Sequence, residues 1–279
     1  MNSPADLYCV MGNPVAHSRS PAIHARFAEL TGQPIRYERR LIPLDGFAEG
    51  VRAFVAEGGR GCNVTVPFKF EAPALATHCS ERVRLAGAAN TLVFQPDGGI
   101  YADNTDGLGL VADITRNAGV SLQGARVLLV GAGGAAAGVL GPLLEAGARH
   151  ITIANRTVAK AQALVASHSA LASLQKAELS AIAPQALQAN FDVIINATAS
   201  SLAGAEVPVP ATVLRPGSLA YDMMYGPAAE GFLGWAQSHG AVPRDGLGML
   251  VEQAAEAFAL WRGVRPPSAQ VLHEMRQAA

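Results

Sequence analysis

The sequence predicts an α/β fold of two domains, each a sheet with helices packed over it. Three observations predict it. The 279 residues exceed one average domain and allow a sizeable core in each of two. Short β-like runs alternate with helical ones along most of the chain, the pattern of strand–helix–strand units and parallel sheets. A helical run over residues 106–117 separates one such alternation from a second. It places a hinge near 105–120, with the return near 240–246.

In chain order, residues 7–12 (LYCVMG) predict a strand and Pro21 to Leu30 a helix, stopped by Thr31-Gly32. Ile35 to Leu41 reads as a strand, Phe47 to Ala56 as a helix closed by Gly58-Gly59, and Gly61 to Val66 as a strand ended by Pro67. Leu92 to Phe94 and Ile100 to Ala102 flank Pro96-Asp97-Gly98-Gly99, a hairpin signal. Beyond the helix of 106–117, Arg126 to Val130 is a buried-looking strand. A helix over 131–146, a strand over 150–154 and a helix over 157–168 follow, then strands at Val193 to Ile195 and Leu219 to Asp222. The run from Gly246 to Trp261 predicts a long helix. The domains expected are therefore 1–105 plus 246–279, and 106–245.

Composition narrows the function. Half the residues are hydrophobic, 15% are charged and the net charge is −1, which argues for a globular protein and against nucleic acid as a main partner. Cys9, Cys62 and Cys79 are odd in number and widely spaced, so neither a disulfide framework nor a zinc site is expected, and no metal is invoked. MNSPADLYCV lacks the basic and apolar regions of a signal peptide, and reduced thiols fit the cytoplasm. Val127 to Leu144 carries no charge, but its five glycines and Pro142 fit a strand, turn and helix better than a membrane span.

The strand ending at Val130 runs into Gly131-Ala132-Gly133-Gly134-Ala135-Ala136, a G-x-G-x-x-A segment between a strand and a helix. Gly131 permits a tight turn, Gly133 lets backbone approach a pyrophosphate, and a small Ala136 allows close helix packing. The helix N-terminus offers N–H donors to the phosphates. This predicts a dinucleotide-binding, Rossmann-type doubly wound domain, against the alternative of a glycine-rich turn without a ligand. The next strand ends in Asn155-Arg156-Thr157, where an acid would grip the ribose of NAD; neutral donors and a cation, with Lys160 one turn on, suit the 2′-phosphate of NADP. The alternative is an ordinary helix-start cation at Arg156.

The first half carries polar residues at predicted strand ends. Ser18 and Ser20 follow the first strand, although Ser20 before Pro21 is also a good capping pair. Asn63 and Thr65 share a strand face, and Lys69 follows Pro67; a solvated surface lysine is the alternative there. Ala89-Asn90-Thr91 and Asp103-Asn104-Thr105-Asp106-Gly107 complete the set. Asp106 is either a turn and cap residue or a carboxylate able to hold and tune a lysine.

These segments, with N-A-T (196–198), Y-D-M-M-Y (221–225) and D-G-L-G-M-L-V-E-Q-A (245–254), span nearly the whole chain and resemble the shikimate dehydrogenase family. The resemblance implies an N-terminal α/β substrate domain, a Rossmann-type NADP domain, and a C-terminal helix returning to the first. It implies reversible NADPH-dependent reduction of 3-dehydroshikimate to shikimate, within aromatic amino-acid (chorismate) biosynthesis. By position, Lys69 and Asp106 are the implied catalytic pair. Ser18, Ser20, Asn63, Thr65, Asn90, Tyr225 and Gln253 are implied at the substrate. Gly131, Ala132, Gly133, Gly134, Ala135, Asn155, Arg156, Thr157, Lys160, Met223 and Gly246 are implied at the cofactor. Lys69 would act as general acid and base, Asp106 would orient it, and the serine pair would hold the substrate carboxylate. Monomer and homodimer both stay open.

The chain departs from the family pattern at Ala136-Ala137, where an arginine often stands, at Ala199 to Leu202 after N-A-T, and at Gly226 to Glu230. A quinate/shikimate enzyme of relaxed choice and a non-catalytic NADP-binding regulatory protein are the alternatives. A pocket rejects one extra hydroxyl only weakly.

Overall fold

The computed structural model describes residues 5–198 and 207–278; the departure at 199–202 lies outside them. The chain divides into two compact units, Met1–Gly109 with Leu250–Ala279, and Leu110–Met249.

The first unit contains β1 (Asp6–Gly12), α1 (Ser20–Thr31), β2 (Ile35–Leu41), α2 (Phe47–Ala56), β3 (Gly59–Val64), β4 (His78–Cys79), α3 (Glu81–Ala86), β5 (Thr91–Phe94) and β6 (Ile100–Asp103), and α4 (Asp106–Ala112) begins in it. Among the described residues its sheet has the order β2-β1-β3-β5-β6-β4. The expectation of a parallel sheet needs correcting here. β1 pairs in parallel with β2 and β3, but β5 runs antiparallel to β3 and β6. The β5–β6 pair is the expected hairpin, closed by the tight turn of 95–99, where Gly98 has φ +86° and Gln95 N–H donates to Gly99 O at 2.8 Å; the departure is β5 against β3, which the longer connection over residues 65–90 brings in antiparallel.

Side chains along β1 alternate. Leu7, Cys9 and Met11 enter a core with Phe47, Val51, Phe54 and Phe68. Tyr8 faces the other way and stacks on Trp261, ring centroids 4.6 Å apart. The first helix starts at Ser20 with Arg19 as its cap residue and no capping side chain, so the capping role open to Ser20 is not taken. β3 ends at Val64, so Thr65 lies just past the strand rather than on its face.

The second unit contains β7 (Arg126–Val130), α5 (Gly134–Glu145), β8 (His150–Ala154), α6 (Val158–Leu174), β9 (Glu178–Ile182), β10 (Val193–Asn196), β11 (Leu219–Asp222), α7 (Glu230–Ser238) and β12 (Val242–Arg244). α8 (Leu247–Arg262) begins there, and α9 (Ser268–Gln277) closes the first unit. The strand order is β12-β11-β10-β7-β8-β9, all neighbours parallel. The order turns back between β7 and β10, the doubly wound pattern whose strand ends bind ligands at that switch. β7 is apolar without alternation because both faces are covered: Val127 and Leu129 enter one core, Leu128 and Val130 another.

The helix expected over 106–117 is α-helical only to Ala112; residues Asp113–Asn117 form a π turn. The helix expected over 131–146 begins at Gly134, because residues 131–133 make the turn. The helix expected over 157–168 runs on to Leu174, since nothing before Gln175 stops it. Boundaries of 105/106 and 245/246 were expected, whereas residues 106–109 pack with the first unit and 246–249 with the second. Asn90 holds Asp106 in the first, and the Tyr221 hydroxyl accepts from Met249 N–H in the second.

Candidate active site

In the first unit, Lys69 follows the Val66-Pro67 turn at the end of β3, inside a one-turn helix over Phe68–Phe70. Its carbonyl accepts from Ala89 N–H at 2.8 Å, which ties the turn to the strand-entry segment before β5. Its side chain is only 16% exposed, so it is not the solvated lysine that spacing alone allowed. Lys69 Nζ donates to Asp106 Oδ2 at 2.5 Å. Asp106 begins α4, where Asn104 Oδ1 accepts from its backbone N–H at 3.2 Å; the cap is thus made by Asn104, and the Asp106 carboxylate stays available.

Asn90 organises this carboxylate. Its Nδ2 donates to Asp106 Oδ1 at 2.8 Å and lies 2.9 Å from Thr105 Oγ1 and 3.3 Å from Gln253 Oε1. Its Oδ1 accepts from Thr105 N–H and Thr91 Oγ1–H. Asn63 donates to Asn90 O and Thr91 Oγ1, and Gln253 anchors on Leu250 O. Lys69, Asp106, Asn90, Asn63 and Gln253, from separate segments, therefore meet in one hydrogen-bonded network. Thr91, Thr105 and Tyr37 belong to it too. The sequence reading missed them, although Thr91 and Thr105 sit inside quoted motifs.

Ser18 and Ser20 lie at the C-terminal end of β1. Ser18 Oγ accepts from Ser20 N–H at 3.3 Å, and Arg39 holds Ser18 O with two N–H groups at 2.6 and 2.9 Å. Gly12 must be glycine, because a Cβ would run into Thr65 Cγ2 and approach Val66 O to 3.2 Å. Arg82 neutralises Asp103 and the Ser80 hydroxyl donates to it, so this fully buried carboxylate serves the fold.

In the second unit, Gly131 has φ +110°, and a Cβ on it would meet Ala197 O and Thr198 Cγ2 at 3.1 Å. Only glycine satisfies both limits. A Cβ on Gly133, the cap of α5, would meet nothing within 4 Å. Among the described residues no side chain caps this helix, and no acid occupies its first turn. An open glycine surface before uncapped N–H groups, at the switch point of the sheet, fits a dinucleotide pyrophosphate. Ala132 and Ala135 are half-buried beside it.

Asn155 follows β8 and donates from Nδ2 to Thr157 O at 2.8 Å, which shapes the turn. Arg156, Thr157 and Lys160 are exposed there. Met223 and Gly246 touch: a Cβ on Gly246 would strike the Met223 carbonyl, and Gly246 N–H donates to Met224 O at 2.8 Å. Tyr225 is half-buried just after β11, in the second unit, whereas the other expected substrate residues lie in the first. Gly226–Ala229, one departure from the family pattern, forms a short 3₁₀ turn.

Family models match as the shikimate dehydrogenase substrate binding domain over residues 10–92, shikimate / quinate 5-dehydrogenase over 113–206, and the shikimate 5′-dehydrogenase C-terminal domain over 246–279. The chain is 77% identical to a shikimate dehydrogenase (NADP(+)) of Verminephrobacter eiseniae, over all of this chain and 97% of that one. An Ael1 enzyme from Pseudomonas putida is similar in structure, with TM-score 0.88 and 46% identity over 97% of this chain and 98% of that one. So is shikimate 5-dehydrogenase from Thermus thermophilus in complex with NADP(H) and shikimate, with TM-score 0.84 and 31% identity over 98% and 100% of the two chains.

Proposed function

From the premise that this chain belongs to the shikimate dehydrogenase family, we propose that it catalyses the reversible NADP-linked interconversion of 3-dehydroshikimate and shikimate, as a cytoplasmic enzyme of aromatic amino-acid biosynthesis. The observation that carries this reading is the ion pair of Lys69 and Asp106, 2.5 Å apart and held by Asn90. Three free cysteines support the cytoplasmic assignment. Among the described residues no helix is long and apolar enough to cross a membrane.

NADPH, when bound, supplies the hydride to the ketone carbon. Reduction leaves charge on the ketone oxygen, which needs a proton donor within hydrogen-bond reach. Lys69 fills that role: one N–H engages Asp106, and the ammonium retains two more. In the oxidative direction the neutral amine takes the proton back. Asp106 keeps the lysine oriented and, with a lone pair left on each oxygen, accepts from a substrate hydroxyl. Ser18 and Ser20 hold the substrate carboxylate, with Asn63, Thr65, Asn90 and Gln253 of the same unit at the ring. Residues 131–135 cradle the pyrophosphate and Asn155, Arg156, Thr157 and Lys160 the 2′-phosphate, while Met223 and Gly246 line the nicotinamide. The substrate domain is the unit carrying Lys69, and the cofactor domain the unit carrying Gly131. A non-catalytic regulatory protein would leave the Lys69–Asp106 contact without a use.

The test is oxidation of shikimate followed at the reduced-cofactor absorbance, with NADP and with NAD. Turnover with kcat/KM at least about tenfold higher for NADP is expected, a difference of roughly 1.4 kcal/mol. No turnover would overturn the enzyme assignment, and a preference for NAD would overturn the role of Arg156.

A further inference from the structure

Tyr37, on the edge strand β2, lies among the expected substrate residues without being one of them. Its hydroxyl donates to Asn63 Oδ1 at 2.8 Å. Both protons of Asn63 Nδ2 are already committed, to Asn90 O at 3.2 Å and Thr91 Oγ1 at 3.0 Å. The carboxamide can therefore stand only one way. Rotating it by half a turn would set Asn63 Oδ1 against the Asn90 carbonyl, which cannot donate, and would break the bond that the Tyr37 hydroxyl gives to Oδ1. Asn63 in turn holds the backbone of Asn90, whose side chain reaches Asp106.

The phenol is itself fixed. His24 lies one turn after Ser20 on α1 and stacks flat on Tyr37, with ring centroids 4.2 Å apart and planes 6° off parallel. His24 is fully buried, and among the described residues neither ring nitrogen has a hydrogen-bond partner. It therefore acts as a wall rather than a rival acceptor for the phenol proton. Burial raises the Tyr37 phenol well above its ordinary value.

We infer that Tyr37 is a positioning residue of the substrate site, acting through Asn63, whose acceptor oxygen and donor nitrogen it holds in a fixed orientation. The inference rests on the reading of Asn63 as a substrate-site residue.

The experiment is a cycle of Tyr37→Phe, Asn63→Ala and the double variant, with kcat and KM for shikimate and for NADP and the melting temperature of each. Asn63→Ala is expected to lower kcat/KM for shikimate at least about tenfold. Tyr37→Phe is expected to lower it by about tenfold with KM for NADP unchanged, and by less than about twofold when Asn63 is already alanine. If Tyr37→Phe costs as much in the alanine background as in the wild type, or nothing in the wild type, the inference is overturned. If Asn63→Ala itself leaves kcat/KM unchanged, the assignment of Asn63 to the substrate site fails, and the inference falls with it.

Discussion

Asp106 and Asp113 stand at the two ends of one short helical run and have opposite surroundings. Asp113 is fully buried and saturated: Arg244 reaches it with two N–H groups at 2.6 and 2.8 Å, the Tyr221 hydroxyl at 2.7 Å and Asn117 Nδ2 at 2.9 Å. Burial pushes its pKa up, but the hydrogen bonds from Arg244, Asn117 and Tyr221 outweigh it and hold the carboxyl below the ordinary value. Among the described residues, Asp106 has one cation, the point charge of Lys69, and one amide donor from Asn90. A planar guanidinium fork suits a permanent joint, whereas an ammonium with spare N–H groups suits proton exchange. A carboxylate with every lone pair spoken for holds the fold, and one with capacity left can serve a substrate.

The largest effect expected from breaking this contrast is on stability. Asp113→Asn leaves Arg244 half-buried without its counter-charge, and breaking a buried pair costs about 3–5 kcal/mol. Urea unfolding should show that loss, while the folded variant keeps its KM for shikimate. Asp106→Asn should do the reverse. The folded protein should persist, and kcat should fall about a hundredfold, roughly 2.7 kcal/mol in the barrier. If Asp106→Asn unfolds the protein and Asp113→Asn only slows it, the division of roles is wrong.

A smaller effect concerns His24. Burial lowers its pKa from 6.5 to about 3. The unfolded chain therefore binds a proton that the folded chain refuses. Stability from this group is complete above pH 6.5 and falls as pH drops toward 3, by up to about 1.4 kcal/mol per unit. His24→Phe should flatten the unfolding free energy between pH 7 and pH 5 relative to wild type; parallel curves would show that the imidazole is not the group responsible.

Much of the second unit was legible because its signals are local. An apolar strand, a glycine turn and a helix sit next to one another in β7, residues 131–133 and α5. Weaker elements escaped. β9 (ELSAI) alternates too faintly to stand out, and β12 contains Pro243, which suits its place at a sheet edge but hides it from a strand reading. The hairpin of β5 and β6 was legible from its turn, but the antiparallel pairing of β5 with β3 depends on contacts between distant segments, which periodicity does not record. The site divides in the same way. Asn90 and Gln253 meet although 163 positions apart, so the family resemblance, not spacing, brought both into the expected set. Tyr37 carried no signal at all, because an aromatic in a strand is an ordinary β-former.

The account turns on Lys69. The most direct measurement is turnover of Lys69→Ala, with the affinities for shikimate and NADP measured on the same preparation. A fall in kcat of about 10²- to 10⁴-fold with both affinities retained is the predicted result. Turnover within about tenfold of wild type, roughly 1.4 kcal/mol in the barrier, would contradict it.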